Sequence, residues 1–401
     1  MNDLKAIEDK KVITPGRSRR RLLVTLRIVL LFLFVVGFFF SCIPLGRATI
    51  RTAIVLPALL SASQPAWLVA MGEPIQHIQM TIPSPSGTVN LDVYQPTSPT
   101  PLISTARSGV LIVPGVGDNR GDAQLVNLSE TMARAGLVVM DMLTPALSNY
   151  MLSARDTDAT VLAFEALNHL PGMDRSRSGI IAFSGGVPLA CFAAADPRIR
   201  AQVAYVALFG GYFNTTNLIR AFGQRAIYID GKLEKWNPDI VPLQTIANTI
   251  TQTFTADEQY LITEAVNTNT LLASDKVNTL SPGARAAYHL LMGDEPERVD
   301  ANIAALPATV HALLNELSPS RVIRQISAPI YLLHDRNDVL VPVTESRAFA
   351  VALKNISHPY DYVEFHIFNH VEIRANSNLG QIIIDGSHLF SLLDKILLAS
   401  S

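Results

Sequence analysis

The sequence predicts an α/β fold in which a mainly parallel sheet carries helices on both faces. From Gly109 to Phe209, short apolar runs suited to buried strands alternate with helical patterns, which is typical of such sheets. The 401 residues suit one large α/β domain with an insertion and an N-terminal leader. A hydrophobic content of 49%, with much of the excess in the first 70 residues, indicates a membrane segment. The net charge of −2 provides no field that would attract nucleic acid.

Residues 1–21 are predicted to be a cytoplasmic leader, which ends in the basic cluster Arg17, Arg19, Arg20 and Arg21. Residues 22–45 follow as an apolar run long enough, at about 1.5 Å per residue, to cross roughly 30 Å of hydrocarbon as a transmembrane helix. The positive-inside rule then places the rest of the chain outside the cytoplasm, in a single-pass protein of the cell membrane. A cleaved signal peptide is the alternative, although no Ala-x-Ala site closes the run.

Residues 46–74 are predicted to be a juxtamembrane linker. They contain a second apolar stretch, Ala53 to Ala70, which Pro57 and Pro65 interrupt, so we expect it to lie along the membrane surface. A second crossing, which would return the main domain to the cytoplasm, stays open as an alternative.

Residues 75–211 are predicted to form the first part of the core. The predicted hairpin pairs Ile75–Ile82 with Val89–Tyr94 around a Pro-Ser-Pro-Ser-Gly turn. The elements after it follow from apolar runs and helical periodicity: strand Gly109–Val113, helix Gly121–Ala135, strand Leu137–Met142, helix Ala154–Leu170, strand Gly179–Phe183, helix Gly186–Ala195 and strand Val203–Phe209.

Residues 212–325 interrupt the strand alternation and are predicted to be a helical insertion without strands, because the stretch is too long for a loop. Its candidate helices are Leu243–Phe254, Ala256–Val266, Pro282–Met292 and Val299–Leu317. Residues 326–401 complete the core with strand Ile330–His334, helix Thr344–Leu353, strand Tyr360–Phe368 and helix Ser387–Ala399.

The most informative motif surrounds Ser184, which follows the strand Gly179–Phe183 and precedes Gly185, Gly186 and a helix. A serine on a strand-to-helix turn projects its hydroxyl from the end of the sheet, and the strained turn needs small neighbours. The pattern departs from Gly-x-Ser-x-Gly only at Ala182. Alone, the motif is equally compatible with an ordinary glycine-containing turn.

A serine nucleophile needs a base, and the base needs an acid that orients it. Asp338 follows the strand Ile330–His334, before Val341-Pro342, and is the candidate acid. His370 follows the last predicted strand and is the candidate base.

In these three motifs, and in their order Ser, Asp, His, the chain from Ile75 onward resembles the α/β-hydrolase fold family, and most closely its dienelactone-hydrolase-like branch. The resemblance implies an eight-stranded sheet, a helical cap formed by the insertion, and Ser184, Asp338 and His370 as catalytic residues. It also implies an oxyanion hole formed by the amides of Gly185 and Val116. Pro114 stands where the family usually has a histidine that braces the Val116 loop.

Other polar residues have plainer interpretations. His334 and Asp335 are interpreted as polar groups at the strand end, His366 as a sheet histidine, His388 as a cap or surface residue and Cys191 as a buried apolar side chain. Asp118, Asn119, Arg120 and Asp122 are expected either at the mouth of the pocket or in a solvated loop.

The predicted function is therefore a membrane-anchored serine hydrolase that cleaves an ester or related acyl bond through an acyl-enzyme. The apolar insertion suggests a small-molecule or lipid-like ester as the substrate. No metal-ligand spacing or phosphate-binding loop is present, so neither metal nor cofactor is expected. An acyltransferase with the same residues, and a non-catalytic binding module on the same fold, are the alternatives.

Overall fold

The computed structural model describes residues 17–59, 63–97, 106–366, 368–370, 372–373 and 379–399. Residues 1–16, which make up most of the predicted basic leader, lie outside the described residues.

Twelve strands lie in the described part of the chain. They are β1 Ile75–Ser84, β2 Gly87–Pro96, β3 Gly109–Val113, β4 Val138–Leu143, β5 Ser178–Phe183, β6 Val203–Phe209, β7 Ala226–Ile229, β8 Lys232–Lys235, β9 Ile330–Asp335, β10 Tyr360–Phe365, β11 Phe368–Asn369 and β12 Glu372–Ile373. Eight of them form the central sheet in the order β1-β2-β4-β3-β5-β6-β9-β10. The pairs β1–β2 and β2–β4 are antiparallel and the remaining pairs of this sheet are parallel. The predicted eight-stranded, mainly parallel sheet is confirmed.

The described helices are α1 Arg17–Cys42, α2 Pro44–Leu59, α3 Ala66–Met71, α4 Ala123–Arg134, α5 Pro145–Ser148, α6 Asp156–His169, α7 Val187–Ala195, α8 Thr215–Gln224, α9 Ile240–Ile250, α10 Ala256–Thr268, α11 Ser274–Thr279, α12 Pro282–Met292, α13 Val299–Ala305, α14 Ala308–Glu316, α15 Val343–Asn355 and α16 Leu379–Ala399.

Strand side chains alternate between two apolar layers, one on each face of the sheet. In β3, Leu111 and Val113 enter the layer that α6, α7, α15 and the insertion complete. Val110 and Ile112 enter the opposite layer, which contains side chains of α2, α4 and α16. Because β3 is buried on both faces, its sequence is a continuous apolar run.

The prediction of a strand-free insertion is wrong. The strands β7 and β8 form an antiparallel hairpin inside it. Asp230 and Gly231 join them with φ angles of 50° and 78°, the backbone that Asp-Gly favours in a tight hairpin turn. The predicted helix Val299–Leu317 is in fact two helices, because Pro307 cannot continue the first one, which ends at Ala305, and the second begins directly after it at Ala308.

The described N-terminal segments form the helices α1 to α3, and one of them packs on the core. Within the predicted linker, α2 packs on α4 and α16, and its Ala48 and Val55 are buried. The predicted transmembrane segment, residues 22–45, largely coincides with α1, and some of its side chains lie outside the described residues. No helix in the described ranges combines the length and apolar character that a membrane crossing requires.

Two buried carboxyl groups face each other where β2 pairs with β4. Asp92 and Asp141 are register partners and are 2% and 1% exposed. Ser129 donates to both oxygens of Asp141, at 3.1 and 2.8 Å. Burial raises the pKa of Asp141 to about 8, the Ser129 hydrogen bond opposes that rise, and the Asp92 charge adds to it. The protonated form of Asp141 is therefore favoured at pH 7.

Replacing Asp141 by Asn is expected to remove a pH-dependent loss of stability. The unfolded carboxyl ionises near pH ~3.9, whereas the folded group ionises near pH 8, so the free energy of unfolding of the wild type falls as pH rises between these values. The free energy of unfolding of Asp141→Asn minus that of the wild type, measured by urea unfolding, should increase by at least about 1 kcal/mol between pH 5 and pH 8. The exposed Asp275→Asn serves as the control, and a pH-independent difference for Asp141→Asn would contradict the assignment.

Candidate active site

Ser184 occupies a strained turn between β5 and α7. Its φ angle is 49°, in the left-handed region that side chains with a Cβ avoid at a cost of about 1–2 kcal/mol. The turn brings the chain against the end of β3, since a Cβ added at Gly186 would lie 2.4 Å from the carbonyl oxygens of Val113 and Pro114. Only glycine fits at position 186 without a backbone shift.

The loop after β3 lies directly beside Ser184. A Cβ added at Gly115 would lie 3.2 Å from Ser184 Cβ, and one added at Gly185 would lie 3.7 Å from the Val116 amide nitrogen. The structure therefore brings the backbones of Val116 and Gly185, the two predicted oxyanion donors, next to each other at the nucleophile turn.

Asn119 braces this loop. Its Nδ2 lies 3.1 Å from the carbonyl oxygens of Gly115 and Val116 and 3.3 Å from that of Gly117. The Gly117 amide in turn donates to Leu147 O at 2.8 Å. Asn119, predicted either at the pocket mouth or in a solvated loop, thus holds the loop that follows Pro114.

Asp338 is buried in the loop that follows β9, and both of its carboxylate oxygens have polar contacts. Its Oδ1 accepts hydrogen bonds from the amides of Leu340 and Val341, at 2.7 and 3.0 Å. Its Oδ2 lies 2.5 Å from His370 Nδ1 and 3.3 Å from His334 Nε2. Burial favours the neutral acid, but the charge of His370 and the hydrogen bonds from His334 and His370 outweigh burial and hold the pKa of Asp338 well below its usual range.

His370 is oriented so that one ring nitrogen meets the acid and the other is available. Nδ1 contacts Asp338, while Nε2 is buried without a hydrogen-bond partner among the described residues. His370 and Ser184 line one cavity of about 230 Å³. Gly210 makes room for the imidazole, because a Cβ at that position would lie 2.8 Å from His370 Cε1.

Two contacts around Asp338 were missed from the sequence. His334, interpreted as a strand-end polar group, is completely buried, contacts Asp338 and hydrogen-bonds Ser346 Oγ and Val341 O at 2.6 and 2.9 Å. Trp236, at the end of the unpredicted hairpin, donates from Nε1 to the Asp338 carbonyl at 2.7 Å. The Asp230-Gly231 pair is the strongest short-range hairpin signal in the insertion and indicates the turn that precedes Trp236.

The remaining candidates lie elsewhere. His366 follows the end of β10 with an exposed side chain, which corrects its assignment to the strand, and His388 is exposed within α16. Burial of Cys191 in α7 raises the pKa of its thiol. Of the loop residues, Asn119 and Asp122 line the cavity, whereas Asp118 and Arg120 pair with each other. Within the described ranges, no group of three or more His, Cys, Asp or Glu side chains could hold a metal ion.

The sheet order and the left-handed serine turn after β5 are those of an α/β-hydrolase-like fold. Asp338 follows β9, whereas His370 lies between the short antiparallel strands β11 and β12 and not, as predicted, just past the strand β10, which ends at Phe365. No model of a known protein family matches the chain. No curated protein matches its sequence either.

Several solved structures are similar to this chain. The acylaminoacyl peptidase of Pyrococcus horikoshii has a TM-score of 0.48 and 14% identity over 84% of this chain and 43% of its own. A puromycin-hydrolyzing peptidase of Mycobacterium tuberculosis has a TM-score of 0.48 and 18% identity over 80% of this chain and 39% of its own. Dipeptidyl peptidase 4 of Porphyromonas gingivalis has a TM-score of 0.44 and 14% identity over 80% of this chain and 36% of its own. The chain spans less than half the length of each of these proteins.

Replacing Gly186 by Ala is expected to destabilise the protein by about 1–3 kcal/mol, because the new methyl group overlaps two carbonyl oxygens of the β3 end. Gly121→Ala, in the same region but with no atom within 4 Å of the added Cβ, should change the free energy of unfolding by less than about 0.5 kcal/mol. Urea unfolding measures both variants. Equal stabilities would show that the nucleophile turn is not packed as described.

Proposed function

We propose that this chain is a serine hydrolase that cleaves an ester or related acyl bond through an acyl-enzyme. One observation carries the proposal. His370 Nδ1 lies 2.5 Å from the buried Asp338 carboxylate, while its Nε2 has no described partner in the cavity that Ser184 also lines. An ionised acid that accepts a hydrogen bond from Nδ1–H fixes the tautomer in which the Nε2 lone pair is free to act as a base.

In the proposed reaction, His370 Nε2 removes the proton of the Ser184 hydroxyl as Oγ attacks the substrate carbonyl carbon. The tetrahedral intermediate collapses when the bond to the leaving alkoxide breaks, and His370 returns the proton to that oxygen. A water molecule then repeats the sequence, with its proton going to His370 and back to Ser184 Oγ, and releases the acid. Asp338 stays ionised throughout and stabilises the transient imidazolium.

The negative charge of the tetrahedral intermediate needs preorganised donors. We assign this role to the amides of Val116 and Gly185, whose backbones adjoin at Ser184. Asn119 supports the proposal because its Nδ2 hydrogen-bonds the carbonyls of Gly115, Val116 and Gly117 and so fixes the loop that carries the Val116 amide.

Membrane attachment through residues 22–45, with the catalytic domain outside the cytoplasm, is proposed from the apolar run and its basic flank. The exposed apolar side chains of α1, such as Leu31, Phe32 and Phe34, are consistent with an apolar environment. The finer likeness to the dienelactone-hydrolase-like branch also rests on the sequence pattern. A C-terminal reporter that works only outside the cytoplasm tests the orientation.

Ser184→Ala is expected to lower kcat for a p-nitrophenyl ester by at least about 10⁴-fold, because the nucleophile is lost, and to abolish labelling by a fluorophosphonate probe. Ser274→Ala, which changes an exposed serine of α11, is the matched control and should keep both properties. Labelling that persists in Ser184→Ala would rule out the assigned nucleophile. Product analysis with added alcohols separates hydrolysis from acyl transfer.

Asn119→Asp is expected to lower kcat about tenfold with little change in KM, since the loop amide acts mainly in the transition state. The substitution keeps the shape of the side chain but replaces the Nδ2 donor by an oxygen that repels the three loop carbonyls. Asn149→Asp, which loses one exposed hydrogen bond to Pro145 O, is the control. A rise in KM alone would assign Asn119 to substrate binding instead.

A further inference from the structure

A second cavity lies behind the catalytic one, between the sheet and the helices of its second face. Its volume is about 60 Å³. Its walls are apolar side chains of α2, α4, β5, β6, β9 and α16, among them Val55, Met132, Ala207, Leu333 and Leu393. Such walls offer water no hydrogen-bond partners, so the cavity suits an apolar group.

Leu128 and Phe183 line both this cavity and the catalytic one. These two side chains therefore stand between the cavities. Phe183 immediately precedes Ser184. A substrate chain that is attached at Ser184 therefore passes Phe183 on its way into the second cavity. The Phe183 ring lies 6.0 Å from that of Phe209, which also lines the second cavity and continues the apolar path.

We infer that the second cavity holds the distal part of a linear fatty acyl chain whose carbonyl lies at Ser184. This inference rests on the proposed hydrolase function and names its substrate class, a medium-chain acyl ester. A water molecule requires about 10–15 Å³ on the same scale, so about 60 Å³ accommodates roughly four to six groups of methylene size. The catalytic cavity holds the first part of the chain.

A third cavity also borders Ser184, beneath the insertion, where Gly185, Tyr212 and Ile246 line it. Its volume is about 30 Å³, half that of the cavity behind Phe183. The larger cavity therefore accommodates the acyl chain, and the smaller cavity under the insertion accommodates a short group of the substrate. Substitutions in the two cavities distinguish the two routes.

The test compares kcat/KM for p-nitrophenyl decanoate and p-nitrophenyl acetate. Each methylene that becomes buried should raise kcat/KM about fourfold until the cavity is filled. Ala207→Met fills the second cavity from the β6 side and should lower the decanoate-to-acetate ratio at least tenfold. Ala352→Met adds the same atoms on α15, outside all three cavities, and should leave the ratio unchanged.

Leu393→Ala enlarges the same cavity and should move the preferred chain length upward, which keeps the test decisive if Ala207→Met does not fold. Decanoate binding to Ser184→Ala, measured by calorimetry, should weaken at least tenfold when Ala207→Met is added. A ratio that responds to Ile246→Phe under the insertion, and not to Ala207→Met, would overturn the inference. Loss of labelling and hydrolysis for every ester, with decanoate binding intact, would instead reject the hydrolase function alone.

Discussion

The arrangement of the site depends on one buried carboxylate, that of Asp338. A charge removed from water is stable only when hydrogen bonds and opposite charge replace its hydration. Two amides satisfy Oδ1, and two imidazoles, those of His370 and His334, approach Oδ2. Each partner comes with its own element. His334 lies in β9 and hydrogen-bonds Ser346 of α15, and Trp236 of the insertion hydrogen-bonds the carbonyl of Asp338. The need to satisfy this charge thus holds the acid loop, the insertion and the base in one arrangement.

The turn at Ser184 depends on a steric constraint, the absence of side-chain atoms at neighbouring positions. Ser184 adopts a left-handed backbone, and its neighbours must leave room for β3 and its loop. Glycine at 186 admits the carbonyls of β3, and glycine at 210 admits the His370 ring. Glycine at these positions allows neighbouring groups to pack closely against the backbone. Asn119 fixes the loop after β3 that packs beside Ser184. The strained backbone of Ser184 is maintained because the packing of the neighbouring strand ends fixes the conformation of the turn.

The central sheet could be predicted from the sequence because buried parallel strands are short apolar runs, and β3 and β6 have the predicted ends. The positions of Ser184 and Asp338 at one edge were also foreseeable, since the carboxyl ends of parallel strands share one edge. His370 lies instead between β11 and β12, beyond the end of β10 at Phe365. The hairpin β7–β8 was missed because helical patterns dominate the insertion, although its Asp-Gly turn is a local signal. The roles of Asn119, Trp236 and His334 could not be read from spacing. Each acts through a partner distant in sequence or through backbone carbonyls, which leave no residue pattern.

The second face of the sheet explains why the chain before Ile75 is more than a leader. The side chains of β5, β6 and β9 on that face are apolar and require cover, which α4 and α16 provide only with α2 alongside them. Val55 of α2 is buried in the same wall that encloses the cavity behind Phe183. A segment that appears to be a linker in the sequence therefore closes an apolar space next to the nucleophile. Ser184 and Asp338 follow strands at one edge of the sheet, where His370 contacts Asp338, while the apolar cavity depends on how α2 and α16 pack together on one face.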